Sequence, residues 1–514
     1  MKRYGLLFVS MLVVMSMLLA ACAPAATPAA PAAAEPTQAP EANPQPAAPE
    51  PTQAPAEPAA PEATAAPAPT ATLDPNTNLA GDTEVIAGRT QVTWFIGIGA
   101  GAKPESIVME REFIEKYNAS QDKIQVVPII IDNNYARDNL TAQLAAGNAP
   151  DIVGPIGTAG RAAFPGAFLD LEPLIKEANY DTSDIDPNFL SFYKDEGKLV
   201  GLPFAIFPEF AYVNKDLFEE AGLALPPQKY GEKYTLDGKQ VDWDFDTLTE
   251  ISKRLTVDKN GNDATSPDFD AENIVQYGYD PQWTDNARAV GSLFAPFYPV
   301  DDKGNATIPE TTKDAWKWFY EGMWGEQPFI PNQAAIDSTL LNTNAFSSGK
   351  VAIGTTHLWY TCCIDVKNVP NLDIAVMPSY KGKVTSKMHG DTFAIMAASK
   401  HPKEAFEVYT YLLGEGSADL YKIYGGLPAR KSQQQAFFKD LDTRFAPNVI
   451  NWQVALDSIQ YMDVPNHELG MPNNSKANDL FQSLGSDLRS NPELNFDERI
   501  AKFISDLDVI FKEK

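Results

Sequence analysis

The chain has 514 residues, with 41 Lys and Arg against 68 Asp and Glu and a formal net charge of -27. That charge argues against a nucleic-acid partner, because binding phosphates takes clustered cations that an acidic surface does not offer. Four His and three Cys give no disulfide framework and predict no metal cluster of the usual His/Cys kind, and no cofactor is expected.

Lys2 and Arg3 precede an uncharged apolar run from Gly5 to Ala20, the layout of a secretory signal. The run is shorter than the about 20 residues a membrane-spanning helix needs. It stops at Leu19-Ala20-Ala21-Cys22, which resembles the bacterial lipobox. Residues 1–21 are therefore expected to be a lipoprotein signal, with Cys22 as the lipid-bearing mature N-terminus. The protein would then be exported and anchored on the outer face of the cytoplasmic membrane, at the cell surface or in the periplasm. From Ala23 to about Thr77 the chain is nearly all Pro, Ala, Thr, Glu and Gln. Such a composition cannot offset the entropy of ordering, so residues 22–80 predict a disordered tether. In polyproline geometry, at about 3.1 Å per residue, it reaches on the order of 100 Å.

The rest of the chain is too long for one core and predicts more than one domain. Residues 90–98 read as a buried strand, and residues 104–118 as a helix whose Met109, Phe113 and Tyr117 recur every four positions. Residues 123–131 read as a second strand, with Pro128 pointing to an irregular or edge position. The next helix carries Ala136, Leu140 and Leu144 and ends at Gly147, and Asp151 to Gly154 supply a third strand. This βαβαβ order implies a parallel sheet covered by helices, with a crevice beyond the carboxyl ends of its strands. The pattern restarts near residues 199–213, followed by a helix with Asn214 as N-cap and Gly222 past its end. Residues 228–273 read as a polar surface insertion, and Trp316 to Trp324 as a packed helix.

Val200-Gly-Leu-Pro-Phe-Ala205 and Val213-Asn-Lys-Asp-Leu-Phe-Glu-Glu-Ala-Gly222 resemble extracellular solute-binding proteins of family 1, the group containing maltodextrin-binding protein. Ala149-Pro-Asp-Ile-Val153, Phe346-Ser-Ser-Gly-Lys-Val-Ala-Ile353, His389-Gly-Asp-Thr-Phe-Ala-Ile395 and Gly426-Leu-Pro-Ala-Arg-Lys431 follow in the family's order. The resemblance covers roughly residues 90 to 435. It implies an α/β, two-lobed periplasmic-binding-protein fold of type II, with hinge-connected lobes and a ligand cleft between them. The strands crossing between lobes are expected near Phe207 and Asp391. Residues 81–207 and 391–430 would form the N-terminal lobe, and residues 208–390 and 431–514 the C-terminal one. It further implies a monomer that captures a carbohydrate and delivers it to the permease subunits of an ABC transporter.

A sugar offers apolar C–H faces and a rim of hydroxyls, so its site needs flat aromatics and hydrogen-bonding edges. Trp359 follows a strand and matches the family's stacking aromatic, and Trp283 holds a similar place after another strand. Gly390 and Asp391 lie at one expected crossing, where backbone approaches ligand and a carboxylate accepts hydroxyl bonds. Glu209 lies at the other, as a ligand contact or a hinge residue. Arg430 is expected either to reach ligand or to pair with a carboxylate across the lobes. Gly97, Gly99 and Gly101 depart from a dinucleotide fingerprint and read as a flexible ligand-facing loop. Cys362 and Cys363 are either a vicinal disulfide under the site or two packed thiols. Asp258-Lys-Asn-Gly-Asn-Asp263 reads as a turn, because its Gly is misplaced for a calcium loop.

Two other classes compete with a sugar receptor. One is a receptor for another solute, such as a peptide or polyamine. The other is a secreted carbohydrate-active enzyme, for which the chain offers no His-Glu-x-x-His, no Gly-x-Ser-x-Gly and no paired Cys/His motif; a protein that is not an enzyme is therefore expected.

Overall fold

The computed structural model describes residues 74 to 513, Pro75 and Glu196 excepted. The expected signal, the lipidated Cys22 and nearly all of the tether lie outside the described residues. No helix among those described is long and apolar enough to cross a membrane.

The first third follows the alternation legible in the sequence. Strand β1 (Thr90–Ile96), helix α1 (Pro104–Ser120), β2 (Ile124–Ile130), α2 (Ala136–Ala145), β3 (Ile152–Ile156) and the short α3 (Thr158–Ala162) succeed one another. β1 pairs in parallel with both β2 and β3. β2 forms the sheet edge, where Pro128 removes no ladder hydrogen bond that an inner strand would need.

Beyond this unit, strand β4 (Ala205–Asn214) is buried at every one of its ten residues. Strand β5 (Ile274–Asp280) leads to helices α4 (Ala287–Gly291) and α5 (Glu310–Trp324). Strands β6 (Val351–His357), β7 (Leu372–Ala375) and β8 (Met388–Ile395) follow, then helix α6 (Pro402–Leu413), the short β9 (Leu427–Pro428), and helices α7 (Asn474–Ser490) and α8 (Phe496–Lys512). All of these strands join one 10-stranded sheet in the order β2-β1-β3-β8-β4-β6-β5, closed by a short strand at Val257–Asp258, with β7 and β9 also on β4.

β4 and β8 link the two halves of this sheet. The C-terminal end of β8 pairs with β3 and its beginning with β4, while the far end of β4 pairs with β6 and β7. The two expected crossing points meet, for Asp391 stands opposite Ala205 and His389 opposite Phe207. The region after residue 431 packs onto the second half, where Phe481 of α7 and Phe503 of α8 meet Trp316 of α5 edge-on.

Three local expectations need correction. Residues 228–273 are not only a surface insertion: the helix Phe245–Arg254 buries Phe245, Leu248 and Ile251, and Tyr234 and Trp243 join the core. Its Asp, Glu and Thr residues mask a spacing that still puts one apolar face inward. The glycine loop after β1 is packed, since a Cβ at Gly97 would lie 2.1 Å from the Ile131 carbonyl oxygen and one at Gly99 2.6 Å from that of Pro155. Helix α1 buries Phe113 and Tyr117 on the expected face, together with Ile114, but it buries Glu110 and leaves Met109 exposed.

Among the described residues Glu110 has no cation beside it, and burial pushes its carboxyl from the usual 4.5 up to about 7, partly offset by the Tyr424 hydroxyl. The folded chain holds this proton more tightly than the unfolded chain. The stability it contributes is therefore fully present below pH 4.5 and lost as the pH rises through about 7. Glu110→Gln should remove that loss, which is on the order of 3 kcal/mol. Thermal melts at pH 5 and pH 8 check this: the substitution should raise the melting temperature at pH 8 far more than at pH 5.

Candidate functional site

Strand β6 ends at His357 and passes into a tight turn, Leu358–Cys363, whose Leu358 and Tyr360 are buried. Anchored on both sides, Trp359 is left half-buried. Strand β5 ends similarly at Asp280, and Trp283 follows with 46% of its surface exposed. Trp283 has a φ of 57°, a region that bulky residues rarely adopt and that is often met at ligand clamps. Its indole N–H donates to the Thr343 carbonyl at 2.9 Å. The two indoles are nearly parallel, 8° apart, with centroids separated by 6.2 Å.

Trp359 opens a chain of directed hydrogen bonds. Its Nε1–H donates to His389 Nδ1 at 3.1 Å. His389 Nε2 faces His467 Nε2 at 3.1 Å, and His467 Nδ1 meets the Asp463 Oδ2 at 2.7 Å. One polarity satisfies every link: His389 carries its proton on Nε2 and gives it to His467, whose own proton on Nδ1 goes to Asp463. Asp463 is fully buried and also accepts the backbone N–H of Met388 and of His467. The His357 ring stacks on His389 at 3.6 Å and 14°. Burial, reinforced by His389 and His467, holds His357 well below the usual imidazole range.

Two acidic groups, Glu468 and Asp391, lie close to one another here. Glu468 places Oε1 3.5 Å from His389 Nε2, and its Oε2 accepts the N–H of Ala159 on α3 at 3.4 Å. Asp391 has its carboxyl pushed up to about 7 by burial and by Glu468, against the opposing Arg161. Its Oδ1 lies 3.2 Å from where a Cβ on Gly157 would stand, and among the described residues its carboxylate makes no hydrogen bond. A cavity of about 940 Å³ adjoins this region, lined by Thr158, Arg161, Phe164, Tyr298, Leu469 and Met471. Neither tryptophan lines it.

The structure thus brings Trp283 and Trp359 together, places Asp391 two residues beyond His389 on β8, and occupies two other candidates within the protein. Glu209 is fully buried, its Oε1 2.8 Å from the equally buried Lys387 Nζ and its Oε2 accepting the Lys387 N–H. A carboxylate so enclosed offers no oxygen to a solute. Arg430 donates to the Tyr180 hydroxyl and the Leu413 carbonyl, so it is occupied within the protein, and among the described residues it forms no ion pair with a carboxylate. Gly390 has a packing role, for a Cβ there would stand 2.6 Å from the Tyr193 hydroxyl. Cys362 and Cys363 are joined as a vicinal disulfide, with Asn344 donating to the Cys363 carbonyl. Asp258 closes its turn by accepting the N–H groups of Asn260, Asn262 and Asp270.

Sequence reasoning missed His357, His389, His467, Asp463 and Glu468. It also concluded from a count of four His that no cluster could form; three of those four converge, because the fold brings distant segments to one point.

Several solved structures share this architecture. A substrate-binding protein of Listeria monocytogenes, Lmo0181, in complex with cycloalternan, is 18% identical and aligns with a TM-score of 0.61 over 83% of this chain and 100% of that one. The sugar-binding protein MalE of Xanthomonas citri is 16% identical, with a TM-score of 0.62 over 82% and 97%. The fold is that of the two-lobed α/β binding proteins. A sequence profile of bacterial extracellular solute-binding proteins matches residues 112–446. The chain belongs to this bacterial extracellular solute-binding protein family, as the resemblance implied. Among curated relatives, the sn-glycerol-3-phosphate-binding periplasmic protein UgpB of Brucella abortus is 28% identical over 156 residues, 28% of this chain and 35% of that protein. The UgpB of Salmonella typhimurium is 34% identical over 129 residues, 23% and 29% respectively. The match therefore spans about a third of the curated relatives' length.

Proposed function

We propose that this chain is a lipid-anchored receptor that captures a mono- or oligosaccharide in the cleft between its lobes and delivers it to the permease of an ABC importer. The observation that carries this reading is the pair of parallel indoles, Trp283 and Trp359, with the unpartnered Asp391 carboxylate on the strand whose His389 receives the Trp359 N–H. Flat aromatic faces suit the C–H face of a pyranose, and carboxylates suit its hydroxyl edge. The left-handed Trp283 supports it, since such a conformation persists only when its surroundings hold it. The lobes are assigned as residues 81–207 with 391–430 and residues 208–390 with 431–514, closing about β4 and β8. The similar proteins from Listeria and Xanthomonas, a cycloalternan complex and a sugar-binding protein, point the same way.

A polyol phosphate is the second reading, favoured by the stretch shared with UgpB. Arg161 is the cation nearest this reading, with a buried Nη1 that has no hydrogen-bond partner, though Asp391 and Glu468 work against an anion. A melting-temperature screen of sugars, glycerol 3-phosphate, peptides and polyamines separates the readings. Only a ligand of the native state stabilises it, by about 2.7 kcal/mol at a hundred times Kd. A carbohydrate should give the largest shift and also lower the radius of gyration in solution scattering. A shift confined to glycerol 3-phosphate, a peptide or a polyamine would overturn the carbohydrate assignment. The anchor has its own check: Cys22→Ser should move the protein from the membrane to the soluble fraction, and continued membrane association would refute lipidation at that residue.

A further inference from the structure

We propose that His357, His389 and His467, with Glu468 as fourth ligand, form a binding site for a borderline divalent metal ion of the zinc class. The three imidazoles come from β6, β8 and the loop before α7, and their ligating nitrogens all lie within 4.8 Å of one another. Tetrahedral zinc with Zn–N bonds of about 2.0–2.1 Å places two ligand nitrogens about 3.3 Å apart. His389 Nε2 and His467 Nε2 stand at 3.1 Å. Imidazole donors with one carboxylate suit zinc, copper or nickel and not calcium or magnesium, which take oxygen ligands.

Two further observations point to an ion. Asp463 holds His467 Nδ1 at 2.7 Å, the carboxylate–imidazole arrangement that orients a ligand and leaves its Nε2 lone pair facing the centre. His357 is fully buried, and both its ring nitrogens lack a hydrogen bond. A buried polar group so placed carries the cost of its lost hydration, and a metal supplies the missing partner. Glu468 and His389, each about a quarter exposed, leave the cluster open to solvent on one side.

Binding would require three changes. The stacked rings of His357 and His389 direct their lone pairs in parallel, so His357 must turn off its neighbour. His389 must also shift its proton from Nε2 to Nδ1, where the Trp359 N–H now donates. Two donors then face each other, and Trp359 must move away. The ion and the present position of Trp359 are therefore antagonistic, whatever solute the cleft holds.

The test uses the full chain without a polyhistidine tag, freed of metal by chelator and kept free of reductant so that Cys362 and Cys363 stay bonded. Calorimetric titration with zinc should show one ion per chain, cobalt should give the visible absorption of a tetrahedral site, and zinc should change the tryptophan fluorescence. Loss of an outer partner alone costs metal affinity about 10–100-fold. His389→Gln or His467→Gln should therefore weaken binding by about a hundredfold or more, and Glu468→Gln by a smaller factor. His401→Gln, at the remaining histidine, should leave it unchanged. Should a histidine variant fail to fold, the cobalt spectrum of the unaltered chain and the Glu468→Gln titration still decide. Absence of saturable zinc binding, an octahedral cobalt spectrum, or binding that survives His389→Gln would overturn the site and leave a hydrogen-bonded histidine cluster only.

Discussion

Lys387→Met is expected to lower the stability of the folded chain by about 3–5 kcal/mol, the usual cost of leaving one member of a buried ion pair alone. Lys387 Nζ and Glu209 Oε1 stand 2.8 Å apart with neither side chain exposed. They join β4 to β8 where the chain crosses between halves, and Glu209 donates its own backbone N–H to the Lys387 carbonyl at 2.9 Å. Without the ammonium, Glu209 must either ionise unpaired or take up a proton. Glu209→Gln should be costly for the converse reason. Combining Lys387→Met with Glu209→Gln should recover much of the loss, since no charge is then left buried. Denaturant midpoints of the three variants check this. Additive losses in the double variant would mean that the two residues do not act as a pair.

Trp359→Ala is expected to weaken carbohydrate binding by about thirtyfold or more, corresponding to a loss of at least about 2 kcal/mol for an aromatic anchor. Half-buried Trp359 is unlike Trp94 and Trp316, which are fully enclosed and whose truncation should chiefly cost about 3–5 kcal/mol of stability. The ligand-free melting temperature of Trp359→Ala should accordingly stay nearly unchanged. Trp359→Phe separates two contributions, keeping an aromatic face while removing the N–H bond to His389. Affinity retained within about twofold in Trp359→Ala would remove the platform from the account and leave recognition to Asp391 and Glu468.

Much of the fold was legible because its signals are local. Alternating apolar runs and helix punctuation placed β1 through β3, and the Asn214 side chain does accept the Asp216 N–H as an N-cap. The crossings were read near Phe207 and Asp391, and those strands pair there. The site was less legible, because its polar groups acquire meaning only through partners far away in sequence. Glu209 stands inside an otherwise apolar run from Ala205 to Val213; in a strand buried on both faces, a carboxylate implies a buried cation, and Lys387 is that cation. The histidines lie at residues 357, 389 and 467, with no spacing that fits a metal motif. Their convergence follows from the adjacency of β6 and β8 on either side of β4 and from the loop that Asp463 ties to β8.

Calorimetric titration of the full chain with the carbohydrate that most raises its melting temperature decides whether the protein is a carbohydrate receptor. Saturable heat at one site per chain is expected, lost or weakened about thirtyfold in Trp359→Ala at unchanged ligand-free stability. No saturable heat with any carbohydrate, together with saturation by glycerol 3-phosphate, a peptide or a polyamine, would contradict it.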